Sequence, residues 1–280
     1  MANTINLVTK FQPLLDEVYK AASLTTDLEN SAVKFDGSKT VKVLKLTVPE
    51  LGADTRNTGY TSGDVTADWE AFTLTQDRGT EFSVDAMDDE ETLNMTFGNA
   101  SSEFTRRSVV PQVDAYRFAA MAGTTGVGTV AGAALTTGEA VIKAISAGMT
   151  SMDEAEVPAE GRILYITPTL KRLIDELDSY KSKKCLEGFS KIVQVPQSRF
   201  FSDVTIDDKG FAKAEGATNL NFIIVDPKAA FAVAKHKKLR VFDPNTNQKR
   251  DDYLFQYRLY HDMFVYPQKA AGIYVHKSTT

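Results

Sequence analysis

The sequence predicts an α+β protein in two parts, with a projecting hairpin and a loose N-terminal arm. Over its 280 residues, 42% are hydrophobic and 25% charged, which is the composition of a folded protein. Strand patterns come first along the chain, a long helical stretch follows, and from residue 136 helices and strands alternate. A polar segment between the first two strands is too long for an ordinary turn. These observations together predict the α+β class.

The N-terminal segment is predicted to be a loose arm that contains a short helix. Apolar residues recur there at helical spacing, with Pro13 in the first turn or at a break: Leu7, Phe11, Leu14, Leu15 and Val18. Residues 20–39 are polar and lack a clear period, so only a short amphipathic helix is predicted.

The first strands of the chain are predicted to form an extended hairpin that projects from the body. In the strand 40–48 the apolar positions change phase, with Val41 and Val43 on one face and Leu44, Leu46 and Val48 on the other. Such a strand touches different neighbours along its length. Further strands are predicted at Trp69–Thr75 and Glu81–Asp85, after about twenty polar residues that cannot bury themselves.

The stretch 88–122 is predicted to be mostly helical. Its acidic start, at residues 88–91, suits a helix N-terminus, while Gly98 and Pro111 should interrupt it. A glycine-rich segment, 123–132, is expected to end the helix.

After a boundary near residue 136, helices and strands alternate. Thr136 and Glu139 match a capping box, and Pro168 suits the first position of a helix that follows a strand at Arg162–Thr167. The remaining predicted strands are Ile192–Val195, Asn221–Val225, Phe231–Ala234, Arg240–Phe242, Tyr253–Leu259 and Ile273–Val275.

The motifs for catalysis are weak. The segment 126–131 matches the dinucleotide pattern GxGxxA, but it follows a helix, whereas the pattern requires a strand, a turn and then a helix. A flexible connector is therefore preferred to a cofactor site. The single cysteine, Cys185, excludes an intrachain disulfide and has no recognisable catalytic signature around it. The sequence indicates no enzyme and no cofactor.

Metal and membrane binding are not indicated either. The three histidines, His236, His261 and His276, show no metal-binding spacing, and no stretch of about 18 apolar residues occurs. A basic cluster at residues 235–240 could meet phosphates, although a solvated turn between two strands is the preferred interpretation.

Charge is distributed unevenly along the chain. The overall net charge is -5, but the two signs are concentrated in different regions. Residues 50–103 contain 13 acidic residues and two arginines, whereas residues 235–280 contain nine basic and four acidic residues. Opposite charges on one chain favour contacts between copies. Protrusions without cores of their own also persist if other chains cover them, so the organisation predicts assembly.

Five residues are the candidate assembly contacts. Trp69, Tyr60 and Phe72 could anchor a ligand, although planting the hairpin on a neighbouring surface is preferred. Arg56 and Arg78 are the two cations of the acidic region.

Four phrases, in this order, resemble the major capsid proteins of tailed phages with the Hong Kong 97 capsid fold. They are QDRGTEFSVDAMDDEET (76–92), EFTRRSVVPQVDAYRFAAMA (103–122), RILYITP (162–168) and DYLFQYRLYHDMFVYPQKAAGIYV (252–275). The resemblance covers nearly the whole chain.

The resemblance implies the following division: 1–38 as the N-terminal arm, 39–86 as the extended loop over a neighbouring subunit, 87–135 as the spine helix and peripheral domain, and 136–280 as the axial domain, with C-terminal strands returning to the peripheral domain. It implies hexamers and pentamers that form an icosahedral phage head around double-stranded DNA, assembled in the bacterial host cytoplasm. A separate scaffold, portal or decoration protein is an expected partner, and DNA would be held without sequence specificity. Two alternatives remain, an encapsulin-like compartment and a nucleotide-binding enzyme using residues 123–132.

Overall fold

The computed structural model describes residues 18–19, 22–30, 35–36, 39–49, 64–85, 101–130, 132, 134–177, 180–244 and 251–279. The predicted helix at 7–18 lies almost wholly outside these residues, as do most of the polar hairpin segment, the acidic stretch at 88–91 and Gly98.

Four sheets contain the thirteen strands of the described residues. Their orders are β5-β13-β10-β6-β7, β11-β12-β4, β1-β2-β3 and β8-β9. The strands are β1 Phe35–Asp36, β2 Thr40–Thr47, β3 Thr66–Thr73, β4 Gln76–Asp85, β5 Gly128–Val130, β6 Ile163–Ile166, β7 Lys191–Gln194, β8 Val204–Asp207, β9 Gly210–Lys213, β10 Leu220–Val225, β11 Ala230–Phe242, β12 Asp252–Val265 and β13 Ile273–Lys277. The α-helices are α1 Val110–Gly123, α2 Gly138–Glu154, α3 Pro168–Glu176 and α4 Tyr180–Glu187.

The five-stranded sheet is buried on both faces. Its central strands β6 and β10 are buried at every residue, which is why they read as continuous apolar runs rather than alternating ones. Leu164 and Ile166 pack in one cluster with Val141 and Ile145 of α2, whereas Tyr165 packs on the opposite face against Phe118 of α1. Strand alternation thus divides the sheet between two cores.

Helix α2 begins one residue later than the capping box predicts, so that prediction is wrong. The N-cap is Thr137, whose hydroxyl accepts from the backbone N–H of Ala140 at 3.3 Å. Gly138 then occupies the first turn, where a Cβ atom would lie 2.3 Å from the carbonyl oxygen of Leu173 in α3. A side chain at position 138 would therefore clash with α3, so glycine allows the two helices to approach closely. Pro168 opens α3 as predicted.

Helix α1 connects the five-stranded sheet with the sheet β11-β12-β4. Its N-terminal half places Val110 and Val113 against Phe255 and Leu259 of β12, and its C-terminal half enters the core of the five-stranded sheet. The predicted interruption at Pro111 takes the form of a π turn, Thr105–Val109, directly before α1. The chain is helical on both sides of Pro111, and because proline has no N–H to donate to the preceding turn, the hydrogen-bond ladder is interrupted there.

Strand β11 is continuous, which contradicts the prediction of a solvated turn within residues 235–239. Twelve of its thirteen residues pair with β12, and Lys235 falls at a register shift between Ala234 and His236. The lysine-rich sequence gives no apolar alternation, yet lysines are favoured on edge strands such as β11 because they discourage further pairing. The basic cluster therefore lies along a sheet edge.

Several elements were not predicted. Helix α4 is short and largely polar. The strands of the hairpin β8-β9 have only four residues each, although Val204, Thr205 and Ile206 favour a strand. The glycine-rich segment does end α1, but it then forms β5, which runs parallel to β13.

Candidate assembly surface

Strands β2 and β3 form the predicted antiparallel hairpin, and its outward face is apolar. The register sets Leu44 opposite Trp69 and Leu46 opposite Ala67. Val48 and Val65 continue the two columns. The large members of this outward ladder are exposed, with relative accessibilities of 45% for Leu44, 58% for Leu46, 69% for Val48, 61% for Val65 and 63% for Trp69.

The inward face fastens the base of the hairpin to the body of its own chain. Val41 and Leu74 are buried in a cluster with Phe231 and Tyr260, and the Phe72 ring lies 5.1 Å from that of Phe264. The phase change predicted along β2 is therefore confirmed. Near its base the strand buries one face, and farther out it exposes apolar side chains on the other.

Polar bonds strengthen the same base. The Asp262 carboxylate accepts the backbone N–H of Thr75 at 2.7 Å and the hydroxyl of Tyr116, in α1, also at 2.7 Å. Burial raises the pKa of Tyr116 to about 12, so this hydroxyl keeps its proton and remains a donor. Strand, sheet and helix thus meet at one carboxylate.

The outward ladder has the composition of a contact surface. Apolar side chains grouped on one exposed face mark sites of interaction, and Trp is enriched among the residues that dominate binding energy. Because β3 lies at the edge of its described sheet, its outer backbone groups also face away from β2. The arrangement offers area and an edge for another protein surface, and it holds no reacting groups.

The three candidate contacts that the structure describes do not share one surface. Trp69 stands on the outward ladder, whereas Phe72, on the same strand, packs against its own chain. Arg78 lies on β4, where its charge acts on buried His261 of the neighbouring strand. Arg56 and Tyr60 fall outside the described residues.

Sequence reasoning missed a buried polar cluster that holds residues 23–29 against α1. The Asp114 carboxylate, fully buried, accepts the hydroxyls of Ser23 at 3.1 Å and Thr25 at 2.7 Å and the backbone N–H of Leu24 at 3.1 Å. Arg199 donates to the same carboxylate at 3.2 Å. We call this the anchoring cluster.

Arg117, one helical turn after Asp114, completes the anchoring cluster. Its guanidinium is buried and donates to the Thr25 hydroxyl at 2.9 Å and to Glu29 at 2.8 Å. An aspartate and an arginine three residues apart within the apolar stripe of a helix are the one sequence signal that could have revealed it.

His261 is a second buried polar group near α1. Burial, together with the positive charges of Arg117 and Arg78, lowers its pKa to about 3. Its ring packs edge-on against Tyr116, and its Nδ1 atom has no hydrogen-bond partner among the described residues. The imidazole is therefore neutral near pH 7.

The weak catalytic motifs gain no supporting geometry. The GxGxxA segment runs from a turn into β5, so no helix N-terminus follows it to receive a phosphate. Cys185 is half-buried, and burial raises the pKa of its thiol. Within the described ranges, no group of three or more His, Cys, Asp or Glu residues could hold a metal ion. No helix there is long and apolar enough to span a membrane.

Comparison with known proteins gives matches in structure alone. No protein-family model and no curated protein matches the chain. A virus-like particle from Pyrococcus furiosus matches with a TM-score of 0.63 at 12% identity, over 96% of this chain and 98% of that chain. The mature capsid of bacteriophage PhiM1 matches with a TM-score of 0.61 at 13% identity, over 88% and 83%. The capsid of cyanophage P-SCSP1u gives 0.59 at 13%, over 88% and 85%.

At identities this low, the matches show similarity of fold alone. The matches nevertheless extend over most of both chains. The chain therefore has the capsid fold that its sequence predicts, the fold of the Hong Kong 97 type.

Proposed function

We propose that the chain is the major capsid protein of a tailed phage, which self-assembles into an icosahedral head around double-stranded DNA. The observation that carries this proposal is the outward ladder, an apolar face on a hairpin whose base is firmly fastened. A surface of this kind needs a partner, and the fold is one that solved phage capsids use.

We propose the same four segments for the chain as the sequence resemblance implies. Residues 1–38 act as the arm, 39–86 as the extended loop, 87–135 as the spine and peripheral domain, and 136–280 as the axial domain with returning C-terminal strands. Two features refine this division. The 39–86 segment ends in β4, which pairs with β12. The segment therefore contributes a strand to the sheet β11-β12-β4 as well as forming the hairpin. The anchoring cluster holds part of the arm to the spine helix.

In this proposal the outward ladder lies on a neighbouring subunit of the same hexamer or pentamer. A dissociated subunit would leave Trp69, Leu44 and Leu46 in water, whereas contact with another copy removes them from it. Each fully buried side chain of this size contributes about 1.5–3 kcal/mol. The assembled particle is proposed to form in the host cytoplasm and to mature as the virion head, with a separate scaffold, portal or decoration protein as partner.

The test is assembly with and without the ladder. The chain is expressed with the assembly genes of its phage, and the products are examined by electron microscopy and sedimentation velocity. Closed shells are the expected result for the natural sequence, and a double variant, Leu44→Lys with Trp69→Lys, is expected to remain folded and unassembled. A natural sequence that stays monomeric would refute the proposal.

An encapsulin-like compartment is the second candidate. The observation in its favour is the match to the Pyrococcus furiosus virus-like particle, which extends over nearly all of both chains. Since phage capsids match about as well, this observation does not favour the compartment over the phage head. The gene neighbourhood separates them, because terminase and portal genes accompany a phage head and an enzyme gene accompanies a cargo shell.

A further inference from the structure

The sheet β11-β12-β4 has one face packed on α1 and one open face. Leu239 and Val241 are buried on the α1 side, so strand alternation turns Lys238 and Arg240 to the opposite side. The register sets Lys238 opposite Arg258 and Arg240 opposite Gln256. On the other flank of β12, Glu81 lies opposite Gln256.

This open sheet face is defined by six residues, Lys238, Arg240, Gln256, Arg258, Asp77 and Glu81. Near Tyr260 the hairpin base covers the same side of the sheet, because the Tyr260 hydroxyl donates to the carbonyl oxygen of Leu74 at 2.9 Å. Beyond that point a depression of about 330 Å³ is lined by five of the six residues. Among the described residues, Lys238 and Arg240 of this face are exposed.

Charge is polarised across the open sheet face. On the β4 flank both carboxylates are engaged within the chain, Asp77 by the Arg258 guanidinium at 2.8 Å and Glu81 by the Gln256 amide at 2.6 Å. On the β11 flank, Lys238 and Arg240 are exposed, and in the part of the chain that the structure describes neither has an ion-pair partner. The face thus has a net charge of +1, with these two cations along the β11 edge and its carboxylates along the β4 edge.

We propose that a second copy of this chain occupies the open sheet face and brings carboxylates to Lys238 and Arg240. This inference rests on the proposed function and names a contact other than the outward ladder. The chain carries the complementary charge, because residues 50–103 hold 13 acids and two arginines, and Asp207 and Asp208 are exposed at the β8-β9 turn.

A nucleic acid fits the same face less well. Phosphates repeat along a strand, so a backbone crossing the sheet toward β4 would meet Asp77 and Glu81 after passing the two cations. A protein edge can place carboxylates against β11 and donors or neutral groups against β4. Polarised charge of this kind selects a partner by complementarity and penalises a misplaced one.

The test is charge reversal at the β11 flank. In the co-expression system, Lys238→Glu with Arg240→Glu is expected to raise the subunit concentration required for half-assembly at least tenfold. The matched control, Lys143→Glu with Arg172→Glu, makes the same change in net charge at exposed positions on α2 and α3 and is expected to stay within twofold of the natural sequence. Circular dichroism of the dissociated subunits checks that both variants fold.

A second measurement identifies the partner. Particles are assembled from a mixture of ¹⁴N- and ¹⁵N-labelled subunits and treated with a carbodiimide, which couples a lysine to a carboxylate in contact with it. We expect Lys238 to be linked to a carboxylate of a differently labelled copy. Links only within one copy, or a charge-reversed variant that assembles like the natural sequence, would overturn the proposal.

Two further outcomes are also decisive. Normal assembly of the charge-reversed variant with loss of packaged nucleic acid would assign the face to DNA and overturn the proposal. If the natural sequence forms no shells, the proposed function fails and this inference falls with it. Shells that ignore the reversal leave the proposed function intact and remove only the inference.

Discussion

The anchoring cluster and the outward ladder are opposites. In the cluster, charged groups are buried, yet Asp114 receives four hydrogen bonds from its own chain. On the ladder, large apolar side chains stand in water, and Trp69 has 63% of its surface accessible. The first region satisfies itself within the subunit. The second is complete only when another surface covers it.

This difference separates the stability of the subunit from its assembly. Buried charges are costly unless they are paired, so removing a partner should unfold or loosen the chain. Exposed apolar residues contribute little to the subunit alone, so replacing them should leave folding intact and change association. Substitutions in the anchoring cluster should therefore lower the stability of the subunit. Substitutions in the outward ladder should leave that stability unchanged and weaken assembly.

The largest effect is expected at Asp114. The substitution Asp114→Asn removes the charge that faces buried Arg117 and Arg199, and we expect the free energy of unfolding to fall by about 3–5 kcal/mol. Urea unfolding of dissociated subunits measures it. Asp175→Asn, which breaks an exposed pair with Lys171, is the control and should cost less than about 0.5 kcal/mol. Equal effects at the two positions would show that the cluster does not anchor the chain.

The next effect is a dependence on pH through His261. The folded-state pKa is lowered to about 3, below the ordinary value of 6.5, so the unfolded chain binds the proton more readily between these values. Stability from this group is complete above pH 6.5 and is lost as pH falls toward 3, by about 3 kcal/mol at pH 4.5.

The measurement compares the natural sequence with His261→Gln across that pH range. Both proteins lose stability in acid as carboxylates protonate, and only the natural sequence should show the additional slope between pH 6.5 and 3. Parallel curves for the two proteins would contradict a buried neutral imidazole at this position.

A smaller effect on folding is expected at Phe72, on the inward face of β3. Its ring packs against Phe231 and Phe264, and truncation to Ala leaves a gap at the hairpin base. We expect Phe72→Ala to lower the free energy of unfolding by about 2 kcal/mol, since the side chain is half-buried. Chemical denaturation checks this, and an unchanged midpoint would mean that the base is not fastened there.

The smallest effect on folding is expected three residues away on the same strand. Trp69→Ala should change the free energy of unfolding by less than about 0.5 kcal/mol, because the side chain is exposed in the subunit. The concentration required for half-assembly should nevertheless rise more than tenfold. If Trp69→Ala instead destabilised the subunit and left assembly unchanged, Trp69 would belong to the fastened base and not to the contact surface.

Local patterns predicted most of the strands. The phase change between Val43 and Leu44 indicated two neighbours for β2, and the hairpin shows both its buried base and its exposed ladder. The alternation of apolar and polar residues did not predict the middle of β11. Lysines occur there because the strand lies at a sheet edge, and they leave no apolar residues to alternate. Helix α4 was not predicted either, because it is short and has few apolar residues.

Contacts distant in sequence could not be predicted. Ser23 and Asp114 are 91 residues apart, and neither residue type indicates that the other lies beside it. Likewise, nothing around Phe72 distinguishes it from Trp69 as a contact for another copy, because both are aromatic residues on one strand. The pleat and the packing of the base assign them to different faces.

The central claim is that the outward ladder is covered by another copy of the chain. A cryo-electron microscopy map of assembled particles tests it directly, since the Trp69 side chain is large enough to locate. We expect Trp69, Leu44 and Leu46 to lie against a neighbouring subunit within the same capsomer. A shell in which these three side chains face solvent would contradict it.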